Sequence, residues 1–266
     1  MTTTPPTGKP LAADDYADRH DAHADFEDVC LLARQQHNLG VLAELRPARV
    51  LEVGCGPELL SVQAIDQGLP VQRWVAVEPA SRYADGARQA ALTRPALAVV
   101  HGYVEQAGTA LAGHFPDGQG AELVIVSGVI HETSEPEALL RAALAWLAPG
   151  GHLLVSVPNA LSFHRLLAVQ MGLIDRPEVL SARNRLLGQP RVFGPDDLRA
   201  LVAGLGLGLQ PVRLDGYLFK PFTHAQMASL VPQLGPAGVQ GLIALGRQFP
   251  LQAAEICLLS RRPAAP

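Results

Sequence analysis

The chain has 266 residues, of which 48% are hydrophobic and only 17% charged, with a formal net charge of −4. That is enough apolar material for one substantial core, and the lack of a basic run or an Arg-rich stripe argues against a nucleic-acid partner. Three widely spaced cysteines, Cys30, Cys55 and Cys257, include no CxxC pair, which argues against a disulfide framework or a structural zinc site and for a reducing cytoplasm. The opening stretch has no signal-peptide core and no apolar run reaches membrane-spanning length, so a soluble cytoplasmic protein without a membrane partner is expected.

Residues 1–10, MTTTPPTGKP, are expected to be disordered. Residues 11–46 read as a helical lid. They are polar at first, then amphipathic over FEDVCLLARQQHNLGVLAEL, and stop before Pro47. Residues 47–266 form the main domain. RVLEV is a strand and PELLSVQAIDQG a helix, with Pro57 early and Gly68 at its end. RWVAVE is a strand, SRYADGARQAAL a helix and LAVVHG a strand. After the loop HFPDGQGAE come the strand LVIVSGVI, a helix EPEALLRAALAWLAPGG closed by Pro149, Gly150 and Gly151, and the strand HLLVSVP. An insertion at about 159–192 carries two helices, SFHRLLAVQMGLI and PEVLSARNRLL. GPDDLRALVAGLG is a helix, QPVRLDGYLF and AAEICLLSRR are strands, and the mainly helical 220–248 lies between those two. Strand–helix alternation with strands apolar on both faces predicts an α/β, Rossmann-like, seven-stranded and mostly parallel sheet flanked by helices.

Chemistry concentrates at the strand ends. In VLEVGCGPELL, Gly54 and Gly56 allow a ligand close to the backbone, in the crevice beyond the strand termini. The third glycine of GxGxxG is missing, and Glu52 and Glu58 would repel a phosphate; a ligand carrying positive charge suits the turn better. A plain tight turn, with Glu52 bonded to nearby backbone, is the alternative. Glu78 ends the second strand 24 residues after Gly54, a spacing suited to a carboxylate that accepts from a ribose diol. An ordinary charged strand end is the alternative there.

Taken together, VLEVGCGPE, WVAVEPA, AELVIVSGVIHE and LAPGGHLLVSVPN resemble, in order and spacing, the motifs of class I S-adenosylmethionine-dependent methyltransferases over roughly residues 45–160. VFGPDDLRALVAGLGL is similar to that family's helix before the sixth strand. Pro57 and Glu58 stand where members often carry a small residue. The resemblance implies S-adenosyl-L-methionine as cofactor. Glu52, Gly54, Cys55 and Gly56 would line its methionyl half, and Glu78 would bind the ribose hydroxyls. Pro79 and Ala80 would lie near the adenine, with Glu105 on its amino group and His101 and Tyr103 as competing assignments. Ser127 and Gly128 would border the sulfonium.

A hydroxyl acceptor needs a general base, whereas a carboxylate or thiolate acceptor does not. His131, just past the fourth strand, is the candidate base; the alternative is that it caps or packs the next helix. His164 is a second candidate. Asn159 and Arg165 are candidate substrate contacts, and Tyr16 is expected to close the lid. Phe163, Met171, Phe219, Phe222 and Met227 are read either as an apolar acceptor wall or as core. His131, Glu132 and His164 lack metal-ligand spacing, so no metal is expected. The leading expectation is O-methylation of a small molecule of secondary-metabolite, quinone-like or sugar type, by a monomer or homodimer. N- or carboxyl-methylation, a dehydrogenase and a non-catalytic binding protein stand as alternatives.

Overall fold

The computed structural model describes residues 11–22, 26–115 and 118–264. The Thr/Pro-rich stretch 1–10, expected to be disordered, lies outside the described residues. The sheet has seven strands: β1 (Arg49–Val53), β2 (Arg73–Glu78), β3 (Leu97–His101), β4 (Ala121–Ser127), β5 (Leu147–Pro158), β6 (Gln210–Tyr217) and β7 (Glu255–Arg261). Their order is β3-β2-β1-β4-β5-β7-β6. The first five pair in parallel, while β7 runs antiparallel to both β5 and β6.

Alternation along the strands builds two cores, one on each face of the sheet. Leu51, Val53, Val75, Val77, Val124 and Val126 point to one face, where α5 (Gly108–His114), α6 (Pro136–Leu144) and α9 (Pro195–Ala203) cover them. Val50, Trp74, Ala76, Leu123 and Ile125 point to the other. That face is covered by α2 (Glu27–Leu45), α3 (Leu60–Asp66), α4 (Ser81–Ala91) and α10 (His224–Gln248). The short α1 (Ala13–Ala22) lies against α4, while α7 (Phe163–Gln170) and α8 (Ala182–Leu186) occupy the insertion. No helix among the described residues is long and apolar enough to cross a membrane.

Several boundaries differ from the periodicity. The helix expected from Glu135 to Gly151 stops at Leu144, and Leu147 already pairs with Ala121. The cause is local: Ala121 N–H donates to Trp146 O at 2.6 Å, Pro149 has no N–H to continue a helix, and Gly150 adopts φ 76°. The helix expected from Pro57 starts only at Leu60. In the insertion only Ala182–Leu186 of PEVLSARNRLL is helical, closed at its start by a reciprocal Ser181–Asn184 capping box. Within the 220–248 segment the helix runs from His224 to Gln248, interrupted at Gly235 (φ 61°), directly before Pro236.

Candidate active site

The ends of β1, β2 and β4 open into a cavity of about 350 Å³, roofed by residues of α1 and α2. Its floor is a backbone construction. Gly54 has φ 76°, and a Cβ there would sit 2.6 Å from Val129 Cγ2. Gly56 has φ 61° and faces open space. Both positions demand glycine, the first by contact and both by conformation. Glu78 ties this turn to the next one. Its Oε2 accepts from Gly56 N–H at 3.1 Å and its Oε1 from Ala80 N–H at 2.9 Å. Glu52, Gly54, Cys55, Gly56, Glu78, Pro79, Ala80, Tyr103 and Glu105 all line the cavity. Glu52 is almost fully buried, and its Oε2 accepts from Trp74 Nε1 at 2.9 Å. Burial, with Glu78 nearby, pushes its carboxyl up to about 8. His101 is exposed outside the lining, with Nε2 3.2 Å from Pro79 O, whereas Glu105 and Tyr103 line it.

The other end of the cavity is made of side chains. Ser127 Oγ accepts from Asn38 Nδ2 at 3.2 Å and lies 2.6 Å from Ser156 Oγ. The Arg34 guanidinium lies over Gly128, 3.3 Å from where a Cβ would be. Arg34 donates to both oxygens of Glu255, at 3.0 and 2.7 Å, and Tyr217 OH donates to the same carboxylate at 2.8 Å. Beside them Glu27 faces His20 at 3.6 Å, Arg34 at 3.8 Å and Arg183 at 3.6 Å. Burial opposes its ionisation, but the His20 hydrogen bond and the Arg34 charge hold Glu27 far below the usual carboxylate range.

The residue aimed into this end after β4 is Glu132, not His131. Glu132 lines the cavity and accepts a short hydrogen bond from Tyr16 OH on α1. His131 lies outside the lining, buried, with Nδ1 unpartnered and Nε2 3.7 Å from Glu132. Burial, helped by the Arg34 charge, pushes its imidazole down to about 3. The expectations for the substrate side need correction at three further residues. Asn159 donates to Leu251 O and Ala253 O, both at 2.9 Å, and accepts from Leu161 N–H. Arg165 donates to Pro177 O and Val179 O. Both side chains are therefore occupied in holding the chain path of the insertion. His164 has a buried, unpartnered Nδ1 and is pushed far down by burial and by Lys220. None of the three lines the cavity.

The apolar wall also lies elsewhere. Met227 is core, while Phe163, Phe222 and Met171 are exposed outside the cavity; Phe163 packs at a tilt against Phe219 with ring centroids 5.0 Å apart. Among the described residues, Glu27, Cys30 and His224 are the group whose ligand atoms converge, within 4.8 Å of one another. Arg34 and Arg183 face Glu27, and Lys220 Nζ sits 3.0 Å from His224 Nδ1, a setting unfavourable to a divalent cation. His131, Glu132 and His164 form no such group. All three cysteines are buried free thiols.

Residues of α2 were not anticipated at the site: Arg34, Gln35 and Asn38 all line the cavity. Gln35 further ties the turn after β1 to the helix, donating to Glu58 O at 3.1 Å and accepting from Gln63 Nε2 at 2.7 Å. A signal was present in the polar run RQQHN inside an otherwise apolar helix.

Comparison with known proteins agrees with this geometry. The family model described as a methyltransferase domain matches residues 24–211. No curated protein sequence matches the chain. Among solved structures, a Thermotoga maritima S-adenosylmethionine-dependent methyltransferase, described as a possible histamine N-methyltransferase, is 17% identical. The match covers 94% of this chain and 97% of that one, with a TM-score of 0.60. The plantazolicin methyltransferase, solved with S-adenosylhomocysteine, is 12% identical over 93% of this chain and 88% of that one, with a TM-score of 0.53. The [4+2]-cyclase SpnF is 16% identical over 86% and 81%, with a TM-score of 0.52. At these identities the structures speak for the fold, while the domain match, spanning more than half of the sequence, settles the kinship: the chain belongs to the methyltransferase-domain family, with the class I S-adenosylmethionine-dependent fold.

Proposed function

We propose that this methyltransferase moves a methyl group from S-adenosyl-L-methionine to a hydroxyl of a small molecule. The observation that carries this reading is one enclosure holding, at one end, the Gly54–Gly56 turn bound by Glu78 and, at the other, the Tyr16–Glu132 pair. When bound, the cofactor supplies an electrophilic methyl on a cationic sulfur; the protein supplies position and exclusion of water.

The residues suit that group. Each Glu78 oxygen already accepts one backbone N–H and keeps lone pairs free for a ribose diol. Glu52, Gly54, Cys55 and Gly56 hold the methionyl half, Pro79, Ala80 and Glu105 or Tyr103 the adenine, and Ser127 and Gly128 the sulfur side. Tyr16 and α1 close the cavity over the ligand. Asp14 anchors that helix by accepting from Ser81 N–H at 2.7 Å, and Asp21 by accepting from Tyr83 OH at 2.8 Å. The acceptor is of secondary-metabolite, quinone-like or sugar type. N-methylation is the second reading, favoured by a carboxyl at the acceptor end and by a neighbour described as a possible histamine N-methyltransferase.

Calorimetric titration with S-adenosylhomocysteine and with NAD tests the first step. Binding of the former and not the latter is expected; the reverse would make the chain a dehydrogenase, and binding of neither a protein that kept only the fold. Labelled methyl transfer to a set of phenols, sugars, amines and carboxylic acids then separates hydroxyl from amine acceptors.

A further inference from the structure

We propose that Glu132 receives the acceptor's proton, and that the positive charge of the bound cofactor is what frees Glu132 to do so. The inference rests on the methyltransferase reading and goes beyond it by naming the proton acceptor and its trigger.

The other acids around the cavity already have partners suited to a fixed structural charge or bond. Glu27 faces three cationic side chains, and Glu255 binds Arg34 and Tyr217. Glu78 holds two backbone N–H groups, and Glu52 the Trp74 indole. Glu132 is different from the first three in having one neutral partner, the Tyr16 hydroxyl, with the nearest imidazole nitrogen, His131 Nε2, 3.7 Å away, and from the buried Glu52 in being partly open. Its side chain keeps 25% of its surface open, and it lines the same cavity as Gly54, Ser127 and Gly128. A carboxyl with spare lone pairs, no bound cation and a cavity in front of it is placed to meet a ligand.

Charge then decides its state. The charged and titratable groups around it are Tyr16 and His20 from α1, Glu27 and Arg34 from α2, Glu78 from β2, and its neighbour His131. Burial dominates, with Glu78 adding to it against the opposing effects of Tyr16, His20 and Arg34, and holds the carboxyl up to about 8. In the free protein the setting thus favours the protonated carboxyl. A sulfonium placed in the cavity adds a positive charge close by, which favours the carboxylate and drives the proton out. S-adenosylhomocysteine, a neutral thioether, adds none.

The step balances. The acceptor oxygen donates a lone pair to the methyl carbon. The carbon–sulfur bond breaks, and its electron pair stays on sulfur, which becomes neutral. The acceptor's proton passes to the Glu132 carboxylate. The cavity thus loses the sulfonium charge and the carboxylate charge together, so Glu132 is protonated again when the neutral thioether leaves.

The test needs no acceptor. Binding of S-adenosylmethionine and of S-adenosylhomocysteine is measured calorimetrically at pH 7.5 in two buffers with different ionisation heats. The wild type should release most of one proton more with the sulfonium than with the thioether. Glu132→Gln should remove the larger part of that difference, Glu52, the other cavity acid held up to about 8, supplying any remainder, while keeping thioether affinity within about threefold. Glu132→Asp should retain the release, which guards against a merely structural loss. Equal proton release with both ligands in the wild type, or an undiminished difference in Glu132→Gln, would overturn the proposal. Failure of both ligands to bind at all would instead overturn the methyltransferase reading.

Discussion

The two ends of the cavity are built on different principles. The cofactor end is backbone held by neighbours in sequence: Glu78 binds Ala80 two residues on, and Gly56 and Trp74 each meet their carboxyl partners across 22 residues. The acceptor end is side chain held by distant partners: Asn38 reaches Ser127 across 89 residues, Tyr16 reaches Glu132 across 116, and Arg34 reaches Glu255 across 221. One end is therefore fixed largely by the pairing of β1 with β2 and the turns that follow them; the other exists only when α1, α2, β4 and β7 have all come together.

That contrast is broken most severely at Glu255. Replacing it with alanine leaves the Arg34 guanidinium and the Tyr217 hydroxyl without their shared carboxylate in a buried setting. A loss of up to about 3–5 kcal/mol is expected, readable by denaturant unfolding, because the Arg34 charge keeps only Glu27, 3.8 Å away, and the Tyr217 hydroxyl loses its acceptor. Next comes the cofactor end. Glu78→Ala removes the acceptor for two backbone donors and for the proposed ribose contact, and should weaken S-adenosylhomocysteine binding by about 1.5–3 kcal/mol, or roughly 10- to 150-fold by calorimetry. Its effect on stability should be smaller than that of Glu255→Ala. If the two variants lose stability equally, the turns after β1 and β2 depend on side chains as much as the acceptor end does.

The same contrast explains what was legible in the sequence. Gly54, Gly56 and Glu78 stand out because a positive φ needs glycine and a strand end shows its carboxylate. The sheet was legible because its strands are apolar on both faces. His131 and Glu132 are adjacent, and which of them faces the cavity depends on the turn after Gly128 (φ 74°), where Glu132 N–H donates to Val129 O at 2.9 Å; no periodicity encodes that choice. Arg165 and Asn159 look like ligand contacts in a string of letters, and only the folded insertion shows backbone carbonyls taking their donors. Arg34 was missed for the converse reason: its partner lies on the last strand.

A pH-dependent effect sharpens the picture at Glu52, the one acid of the cofactor end held high by burial. Its folded carboxyl titrates at about 8, far above an ordinary glutamate. Between those two values the unfolded chain has lost the proton and the folded one retains it. This group's contribution to stability is therefore complete below the ordinary glutamate value and is lost as pH rises through about 8. Glu52→Gln keeps an acceptor for Trp74 Nε1 and removes the titration. Its stability should fall less than the wild type's between pH 5 and 8, by at most about 1.4 kcal/mol per pH unit. Parallel stability profiles would mean that Glu52 is charged in the folded protein.

The smallest effect is expected where the sequence placed the base. His131 is buried, its Nδ1 meets no partner, and its imidazole is pushed down to about 3, so at neutral pH it is an uncharged ring. Exchanging it for leucine removes an unsatisfied buried nitrogen and keeps most of the volume, a change that ranges from neutral to stabilising by about 1 kcal/mol. Cofactor affinity should not move. Turnover of any acceptor found in the transfer screen should stay within about threefold, against a loss of roughly 10²–10⁴-fold for Glu132→Gln if that carboxyl is the base. The comparison of the two neighbours is sharper than either variant alone, because both alter the same turn and only Glu132 faces the cavity. A His131→Leu enzyme as slow as Glu132→Gln would place the imidazole on the proton's route. An enzyme indifferent to both changes would point to an acceptor that arrives already deprotonated, a carboxylate or thiolate needing no base at this end of the cavity.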